Sequence, residues 1–425
     1  MNVYDSERIE KILSLQGCCR VENPRDAKLV ILNTCTVREK ARHKVLSLLG
    51  TIRPLKERDP DLLIAVSGCV AQQEGKRLHQ LAPFLDIVFG PDQIERLPEF
   101  IKVAKERMKV TETGFSDEEQ LSLKPLLLVK GKQNRATAFI TIATGCDKKC
   151  TFCIVPHVRG VEKCRSTEEI IDECKTLLEF GVKEIILVGQ TVNAYKYDRT
   201  RFSDLLKMVN DLNGLERLRF MTSHPIDMSD DIISCYGNLE HLCEALHLPV
   251  QSGSNSVLKR MLRRYNREEY VEIINKVRER LPNISITTDI IVGFPGETDE
   301  EFEESISLLN EIRFDGTYSF VYSPRPGLPS TRIPDPITES RKEERLLRYQ
   351  AIQNDILLQT NSEYAGKTFD VLVEGPSDTD PRVMNGRTRS NKLVHFPGDP
   401  ALAGGLIAVK MTKAFSSYLR GEIAK

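Results

Sequence analysis

Three cysteines follow one another closely in the run Gly-Cys-Asp-Lys-Lys-Cys-Thr-Phe-Cys. Cys146, Cys150 and Cys153 have the spacing Cys-x3-Cys-x2-Cys, which supplies three thiolates where a complete iron–sulfur ligand set has four. Three thiolates can hold three irons of a [4Fe–4S] cluster and leave the fourth iron open to a small molecule. Zinc is the alternative metal, but it takes a fourth Cys or His, and Pro156 stiffens the approach to His157. The spacing therefore favours a cluster with a reactive iron.

Other residues that could do chemistry stand at the ends of predicted strands. Phe152 lies between two of the cysteines and could stack on a flat ring beside the cluster, or simply pack within its loop. Gly189 and Gln190 close a strand, and a ligand could approach the backbone where Gly189 has no side chain. Two further turns, His247–Gly253 and Ile291–Glu297, have polar or glycine tips. Together these positions predict a shared ligand pocket.

Length and composition bound the class of protein. At 425 residues the chain is long enough for two or three domains. Its hydrophobic content of 40% and charged content of 28% are those of a globular protein. The formal net charge of -1 creates no overall basic field, so a nucleic acid would have to bind a local patch. Eleven scattered cysteines, an odd number, do not form a secreted disulfide framework.

Targeting segments, long apolar runs and cysteine usage predict the cellular compartment of the protein. The first residues carry neither an apolar signal core nor an Arg- and Ser-rich transit pattern. No uninterrupted apolar run approaches membrane-spanning length. Thiols that serve as metal ligands also suit a reducing compartment. We therefore expect a cytoplasmic protein that does not engage a membrane.

Residues 1–114 alternate apolar strands with helical stretches, which predicts a small parallel α/β domain. The predicted strands are Lys28–Asn33, a strand from Leu62 that leads to Ser67–Val70, and Ile87–Gly90. A helix is predicted over Arg38–Leu49. Residues 115–136 are polar and uneven, and we interpret them as a linker.

From residue 137 the alternation of strands and helices restarts with a longer period. Six consecutive β/α units predict a barrel or partial barrel over residues 137–361, with its chemistry at the carboxyl ends of the strands. The cysteine loop follows the first of these strands. The predicted strands are Ala138–Thr144, Glu184–Gly189, Leu218–Ser223, Ala245–Val250, Ile284–Val292 and Thr317–Tyr322, and the clearest helices are Thr167–Phe180 and Arg267–Leu281.

The C-terminal part changes character again. Glu339–Tyr364 is predicted to be a long charged helix that acts as a spacer. Over residues 362–425 short β segments, such as Val371–Glu374 and Leu393–Phe396, are separated by Gly and Pro. This composition predicts a small C-terminal β-barrel.

The flanking motifs, taken together, resemble those of the radical SAM (S-adenosylmethionine) methylthiotransferases, in family order along the whole chain. They are Asn33–Lys40, Ser67–Gln72, Cys150–Pro156, Gly189–Tyr195, His247–Ser254, Ile291–Thr298 and Tyr322–Gly327, and Gly386–Phe396 resembles the TRAM signature of the tRNA-modifying members. The resemblance implies an α/β protein with three parts: a flavodoxin-like N-terminal domain, a partial (β/α)6 TIM-type radical SAM barrel and a C-terminal TRAM β-barrel.

The resemblance also implies two [4Fe–4S] clusters. Cys146, Cys150 and Cys153 would be the catalytic cysteines and would hold the cluster that cleaves SAM. A second, auxiliary cluster would be held by three cysteines of the N-terminal domain, and Cys35 and Cys69 match two of those positions.

SAM is the second cofactor that the resemblance implies. In the family a short motif at the end of the second barrel strand meets the SAM amino group, and Gly189 and Gln190 occupy that place. Phe152 in the cysteine loop and Gln251 in the turn after the fourth strand are the other residues expected to contact the cofactor.

The chain is most similar to the family members that act on N6-isopentenyladenosine beside the anticodon of tRNA. The expected reaction adds a methylthio group to C2 of that adenine, with sulfur from the auxiliary cluster and methyl from a second SAM. Two alternatives stay open: action on threonylcarbamoyl-adenosine in tRNA, and a catalytically impaired iron–sulfur protein that binds tRNA.

The expected partners are the anticodon loop of tRNA and an electron donor such as a flavodoxin or ferredoxin, and we expect a monomer. Arg387, Arg389 and Lys392 lie close together in the C-terminal barrel, and cationic side chains on a β-barrel can bind an RNA backbone. The alternative interpretation of these three is a solvated charged face.

One feature departs from the family pattern. The first auxiliary cysteine normally precedes an Asn-x-x-Asp-Ser-Glu stretch, and here the chain begins at that stretch, Asn2–Glu7. The first strand of the flavodoxin-like domain is also expected to be missing, which would open the hydrogen-bonding edges of two neighbours. A missed upstream start, a truncated gene and substitution by another thiol compete as explanations, and Cys18 and Cys19 are the candidate substitutes.

Overall fold

The computed structural model describes residues 1–36, 39–116 and 136–424, with the side chains of residues 39–43 left out. Most of the predicted linker, residues 117–135, and Arg38 at the start of a predicted helix lie outside the described residues. The chain divides into two compact units. The first contains the described residues up to 116 together with Thr144–Lys148 and Cys153–Lys163, and the second contains 136–143, Lys149–Phe152 and 164–424.

The first 116 residues form an α/β unit with four strands. Its helices are α1 (Asn2–Leu15), α2 (Glu39–Arg58), α3 (Cys69–Glu74), α4 (Arg77–Leu81) and α5 (Leu97–Lys105). Its strands are β1 (Leu29–Thr34), β2 (Leu63–Gly68), β3 (Ile87–Phe89) and β4 (Val110–Glu112). The three predicted strands are confirmed, and the second ends at Gly68, where Cys69 begins α3.

The four strands make one parallel sheet in the order β1-β2-β3-β4. Helices cover both faces, since α2 and α3 pack on one apolar cluster and α1 and α5 on another. Strands β1 and β2 pair directly along their length, from Leu29 opposite Leu63 to Thr34 opposite Gly68. The expectation that two neighbouring strands would have open hydrogen-bonding edges is therefore not met between β1 and β2.

The remaining elements run from residue 137 to the C-terminus. The strands are β5 (Thr137–Thr141), β6 (Ala143–Thr144), β7 (Lys163–Cys164), β8 (Glu184–Val188), β9 (Lys196–Tyr197), β10 (Thr200–Arg201), β11 (Arg217–Phe220), β12 (Ala245–His247), β13 (Ser285–Val292), β14 (Gly316–Val321), β15 (Thr368–Pro376), β16 (Val383–Thr388), β17 (Leu393–Pro397), β18 (Leu406–Ala414) and β19 (Leu419–Ile423). The helices are α6 (Val155–Arg159), α7 (Thr167–Glu179), α8 (Phe202–Asn210), α9 (Asp230–Cys235), α10 (Asn255–Arg260), α11 (Arg267–Arg280), α12 (Asp299–Ile312) and α13 (Glu339–Ser362).

Six strands form the predicted partial barrel. Strands β5, β8 and β11 make one parallel sheet and β12, β13 and β14 another. A parallel bridge from Leu218 in β11 to Leu242, just before β12, links the two sheets in chain order. Because all six strands run the same way, their carboxyl ends lie at one end of the barrel. The helices between them are started by local caps, such as the reciprocal hydrogen bonds of Asn266 and Glu269 at α11.

The C-terminal residues close into a five-stranded barrel in the order β15-β16-β17-β19-β18, with β18 returning to β15. Its core contains Val371, Met384, Phe396 and Val409, which are all fully buried. The predicted small β-barrel is confirmed. None of the helices in the three described ranges is long and apolar enough to cross a membrane.

Two buried arginines of β11 join the partial barrel to the C-terminal barrel. Arg217 donates to the carbonyl oxygens of Arg387 at 2.7 Å and Asp370 at 2.9 Å. Arg219 donates to those of Thr388 at 2.8 Å and Arg389 at 2.7 Å, while its Nε donates to Glu184 at 2.7 Å. Since these cations are buried and fully engaged, they hold the two barrels in one fixed arrangement.

We expect Arg219→Met to destabilise the second unit strongly. The change leaves the Glu184 carboxylate, 5% exposed, without its cation, and breaking a buried ion pair costs about 3–5 kcal/mol. Arg341→Met is the matched control, because Arg341 is 45% exposed in its pairs with Asp299 and Glu344 and surface pairs contribute about 1 kcal/mol or less. Urea unfolding followed by circular dichroism measures both, and equal losses would contradict the assignment.

Candidate functional site

The cysteine loop begins directly after β6 and depends on one glycine. Gly145 has a φ of +78°, and a Cβ there would lie 1.9 Å from the carbonyl oxygen of Val161. Only glycine fits this backbone. The Cys146 amide then donates to the Gly160 carbonyl at 3.1 Å, and Cys146, Cys150 and Cys153 are all half-buried. The chain path therefore presents three accessible thiols in a tight loop.

The middle of the loop is anchored on the segment that follows α10. The Thr151 amide donates to Met261 at 3.1 Å and the Thr151 hydroxyl to Arg260 at 3.0 Å. Next to this anchor, the Cys150 Sγ accepts a hydrogen bond from Arg263 Nη1 at 3.4 Å. The two hydrogen bonds of the neighbouring Thr151 and the one to the Cys150 sulfur thus fix the position of Cys150.

Phe152 packs edge-on against Phe294, with ring centroids 6.3 Å apart. It belongs to a small apolar cluster with Met261 and Tyr322. This packing agrees with the simpler of the two interpretations of Phe152, in which the ring packs against its surroundings. Phe152 and the nearby Cys150 are both half-buried.

Gly189 and Gln190 lie at the carboxyl end of β8, as predicted for that strand. A Cβ on Gly189 would come within 3.0 Å of the Ala143 carbonyl oxygen, so the backbones after the first two barrel strands approach each other closely. The Thr222 hydroxyl donates to the Gly189 carbonyl at 2.6 Å. Gln190 is half-buried beside this turn.

Gln251 lies past the end of β12 with an unusual backbone. Its φ is +77°, in the left-handed region that non-glycine residues rarely adopt. Hydrogen bonds on both sides hold it there: its amide donates to Asp289 at 2.9 Å and its carbonyl accepts from Ile291 at 3.0 Å. These two hydrogen bonds fix the backbone of Gln251, although the residue lies beyond the regular part of the strand. The predicted strand Ala245–Val250 is correspondingly shorter, ending at His247.

Glu297 in the turn after β13 is 2% exposed. Its Oε2 accepts from the Gly293 amide at 2.8 Å and from Arg345 Nη1 at 2.9 Å. Burial raises the pKa of Glu297 to about 7, against the Gly293 amide and the Arg345 guanidinium, which favour the ionised form. Glu297 therefore joins the strand-end turn to α13 and serves a structural role.

Cys35 and Cys69 follow neighbouring strands of the N-terminal sheet. Thr34 and Gly68 are paired in register at the ends of β1 and β2, so the two cysteines come next at the same sheet edge. Cys35 is exposed and Cys69 is buried. Gly68 has a φ of +87°, and a Cβ there would lie 2.3 Å from the Thr34 carbonyl oxygen. This close approach is what brings the two cysteines together.

Arg159 is a buried cation at this edge. Its Nε donates to the Cys69 Sγ at 3.3 Å and its Nη2 to Asp5 at 2.6 Å, and the side chains of Arg159 and Asp5 are each 7% exposed. Burial raises the pKa of Cys69, while the positive charge of Arg159 opposes that increase. Cys69 thus has a cation placed to stabilise its thiolate.

The start of α1 lies at the same edge. Asn33 Nδ2 donates to the Asn2 carbonyl at 3.0 Å and to the Ser6 hydroxyl at 2.9 Å. Cys18 and Cys19 follow the opposite end of this 14-residue helix, roughly 20 Å away at ~1.5 Å per residue. The structure therefore does not bring either candidate substitute to Cys35 and Cys69.

Whether these thiols fit an iron–sulfur cluster depends on donor chemistry. No three Cys, His, Asp or Glu side chains converge as a metal site within residues 1–36, 39–116 and 136–424. The donor set nevertheless fits: three half-buried thiols stand in one glycine-started loop, and Cys150 lies beside a guanidinium that suits an anionic ligand. Thiolates are the ligands of iron–sulfur clusters.

The three cations predicted to contact RNA are engaged within the second unit. Arg389 pairs with Glu244 at 2.9 Å, and Lys392 pairs with Asp315 at 2.7 Å and is 8% exposed at its side chain. Arg387 is more open, 38% exposed, in a pair with Glu374. In this arrangement Arg389 and Lys392 support the joint between the two barrels, and RNA binding by the three stays a prediction.

Two further cations of the C-terminal barrel, Lys413 and Arg420, lie over the ring of Phe415, 5.0 Å and 6.0 Å from its centroid. Lys413 and Arg420 stand directly opposite each other on β18 and β19 and are exposed. No Asp or Glu in the described part of the chain makes an ion pair with either. Beside them the rings of Phe415 and Tyr418 stack at 4.4 Å, and both rings are half-buried. Like charges opposed across strands are unfavourable on their own, so this surface suits an anion.

Sequence reasoning missed the arginines that organise the site. Arg159, Arg263 and Arg345 each contact a predicted ligand or a strand-end turn. Their local spacing carries no metal-ligand or nucleophile pattern. Arg263 stands in the basic run Lys259–Arg264, where nearby residues are also cations, so no local signal singles it out.

Profiles of three families match this chain in separate regions. The radical SAM superfamily matches residues 140–309, the uncharacterized protein family UPF0004 matches residues 1–90, and the TRAM domain matches residues 362–424. These regions coincide with the partial barrel, the N-terminal sheet and the closed C-terminal barrel.

Curated relatives match over nearly the full length. A tRNA-2-methylthio-N(6)-dimethylallyladenosine synthase of Clostridium botulinum (strain Loch Maree / Type A3) is 43% identical over 431 residues, covering 99% of this chain and 94% of the relative. The protein of the same name from Pelotomaculum thermopropionicum is 44% identical over 432 residues, covering 100% and 95%.

Among solved structures, the radical SAM methyltransferase TsrM from Kitasatospora setae is similar, with a TM-score of 0.57. The match covers 77% of this chain and 73% of that protein at 15% identity. At this identity the likeness concerns the fold alone.

The buried Glu297 predicts a pH dependence of stability. Its pKa is higher in the folded state (about 7) than the ordinary 4.5, so folding favours the protonated form, and that stabilisation is lost as pH rises through about 7. We expect the stability of the wild type relative to Glu297→Gln to fall by about 2 kcal/mol between pH 5.5 and 8. Urea unfolding at both pH values measures this difference. The exposed Glu303→Gln variant is the control, and a Glu297→Gln difference that does not change with pH would contradict the shift.

Proposed function

This chain belongs to the tRNA-2-methylthio-N(6)-dimethylallyladenosine synthase family of radical SAM enzymes, and on that premise we propose that it adds a methylthio group to C2 of N6-isopentenyladenosine next to the anticodon of tRNA. The observation that carries the proposal is the position of Cys150. It is tied through Arg263 to the Pro249 carbonyl at the end of β12, the end of the barrel where Gly189 and Gln251 also lie. Chemistry in barrels of parallel strands takes place at this end.

Cys146, Cys150 and Cys153 would hold the radical SAM [4Fe–4S] cluster. When bound and reduced, that cluster would supply the electron for reductive cleavage of SAM, the chemistry that activates the adenine carbon for substitution. The residues of this chain would position the cofactor: Gly189 and Gln190 offer polar groups at the end of β8, and Phe152 and Gln251 border the same end of the barrel.

A second [4Fe–4S] cluster, the source of the transferred sulfur, would lie at the N-terminal sheet edge with Cys35 and Cys69 as two of its ligands. Their adjacent positions on paired strands support this. The Arg159 guanidinium next to Cys69 also supports it, since a cation favours the thiolate that a cluster needs.

The proposed macromolecular substrate is the anticodon loop of tRNA, whose unpaired bases can be splayed out for chemistry. We propose a flavodoxin or ferredoxin as electron donor and a monomeric enzyme in the cytoplasm. The threonylcarbamoyl and non-catalytic alternatives are outcomes of the tests that follow.

Anaerobic reconstitution tests the function directly. We expect the iron-loaded protein, given SAM, a reductant and tRNA bearing N6-isopentenyladenosine, to form the 2-methylthio nucleoside, detected by mass spectrometry. Cys150→Ala should lose both this product and 5′-deoxyadenosine, because one of three ligands is removed. The Cys18→Ala/Cys19→Ala double variant is the control and should keep both products.

Each other result points elsewhere. Product from tRNA bearing threonylcarbamoyl-adenosine alone would change the substrate assignment. An iron content of about four per chain, where two cubes need about eight, with 5′-deoxyadenosine and no thiomethylation, would restrict the chain to the radical half-reaction. Product formation by Cys150→Ala would refute the radical mechanism.

For tRNA binding we propose a surface that includes Lys413, Arg420 and the Phe415–Tyr418 ring pair. Cations with neighbouring aromatic rings bind unpaired RNA through phosphates and stacking. We expect Arg420→Glu to weaken tRNA binding about tenfold, or about 1.4 kcal/mol, and to lower the salt dependence by about one phosphate contact.

Arg382→Glu is the matched control for that experiment, because Arg382 is an 88%-exposed arginine of the same barrel that pairs with Asp380. Filter binding over a range of salt concentrations measures both variants. Equal weakening by both would mean that only total charge matters. Weakening by Arg387→Ala without weakening by Arg420→Glu would favour the cluster predicted from sequence.

A further inference from the structure

Arg263 sits in a strained segment between α10 and α11. The residues on both sides, Leu262 and Arg264, have φ values of +55° and +60°, and such non-glycine conformations cost about 1–3 kcal/mol each. Leu262 and Arg264 are exposed, whereas Arg263 is buried. The strained backbone therefore turns Arg263 inward, between two exposed neighbours. The contacts that Arg263 makes have to offset the cost of that strain.

The Arg263 guanidinium spans two parts of the site. Its Nη1 donates to the Cys150 Sγ at 3.4 Å, its Nη2 to the Pro249 carbonyl at 3.0 Å and its Nε to the Tyr265 hydroxyl at 2.9 Å. Tyr265 in turn donates to the Val250 carbonyl at 2.7 Å. One side chain thus ties the cysteine loop to the end of β12.

The charge of Arg263 has no carboxylate partner among the described residues. Of the other buried arginines, Arg165, Arg219 and Arg345 each pair with a glutamate, whereas Arg217 donates to two carbonyl oxygens. A buried cation without a counter-charge costs several kcal/mol. The Pro249 carbonyl and the Tyr265 hydroxyl are neutral partners, so the Cys150 sulfur and whatever it binds are where the guanidinium meets its compensating charge.

We propose that Arg263 is a positioning residue of the radical SAM cluster, the buried counter-cation of Cys150 and its iron, and that it makes the cluster easier to reduce. Reduction adds a negative charge to the cluster, and a fixed cation with an N–H donor on a ligand sulfur stabilises the added charge. Arg263 itself neither gains nor loses an electron or a proton. The proposal rests on the function proposed above, and it assigns a role to a residue outside the cysteine motif.

The test measures the midpoint potential of the cluster in the reconstituted full-length protein, by redox titration followed by electron paramagnetic resonance in the absence of tRNA. We expect Arg263→Gln to shift the balance of oxidised to reduced cluster about tenfold toward the oxidised form, which is about 59 mV for a one-electron couple. Arg263→Lys keeps the charge and should recover most of the shift. Arg264→Gln, the exposed neighbour with the same backbone strain, should leave the potential unchanged.

Tyr265→Phe separates charge from packing, because it removes the hydroxyl that supports Arg263 while the guanidinium stays. Iron content and thermal unfolding are measured for each variant. A potential that drops in Arg263→Gln and not in Tyr265→Phe supports the proposal. The wild-type potential in iron-loaded Arg263→Gln, or an equal drop in Tyr265→Phe, would overturn it.

Failure of the wider function looks different in the same experiment. Wild-type protein that takes up no iron overturns the proposed radical SAM function together with this inference. Iron-loaded wild type whose potential is insensitive to Arg263 overturns the inference alone and leaves thiomethylation to be judged from its product.

Discussion

A buried guanidinium must find a compensating charge or a set of acceptors where water cannot reach it, and this requirement organises the second unit. Arg165 meets it with Glu173 and the Thr141 carbonyl at the first barrel strand. Arg219 meets it with Glu184 and two carbonyls of the C-terminal barrel. Because each arginine serves partners on different elements, the partial barrel and the C-terminal barrel are set relative to each other by a few directional contacts as well as by apolar packing.

The sequence could predict the parts of the site that depend on strand order, but not those that depend on long-range charge pairs. Parallel strands place their carboxyl ends together, so Cys150, Gly189 and Gln251 could be assigned to one end of the barrel from motif order alone. The apolar runs that form β2 and β8 are equally plain in the sequence. The cationic cluster at Arg387–Lys392 was misleading in one respect, because the partner of Arg389 is Glu244, 145 residues away. Such pairings depend on the tertiary structure and leave no local pattern.

Local rules also failed at the ends of strands. The strand predicted from Leu62 toward Ser67–Val70 ends at Gly68, and the strand predicted over Ala245–Val250 ends already at His247. In both places an uncommon backbone follows, with positive φ at Gly68 and Gln251. Apolar residues continue past the last ladder pair because Val70, Leu248 and Val250 pack into the cores, so hydrophobicity alone could not reveal the stop.

The N-terminal sheet is constrained by register. Thr34 opposite Gly68 forces Cys35 and Cys69 to the same edge, and Asn33 brings the start of α1 to that edge through Asn2 and Ser6. Cys18 and Cys19 are excluded by the length of the same helix, however close they are to Cys35 in sequence. The geometry of the sheet, and not proximity along the chain, thus decides which thiols can bind the same metal centre.

Strain gathers at the catalytic end of the barrel. Gln251, Leu262 and Arg264 adopt left-handed backbones without being glycine, and each lies within two residues of Pro249 or Arg263, which hydrogen bonds connect to Cys150. Strained residues persist only where their surroundings over-determine them, and here two arginine contacts and a tyrosine hydroxyl do so. The hydrogen bonds of Arg263 and Tyr265 therefore offset the cost of this strain within the folded protein.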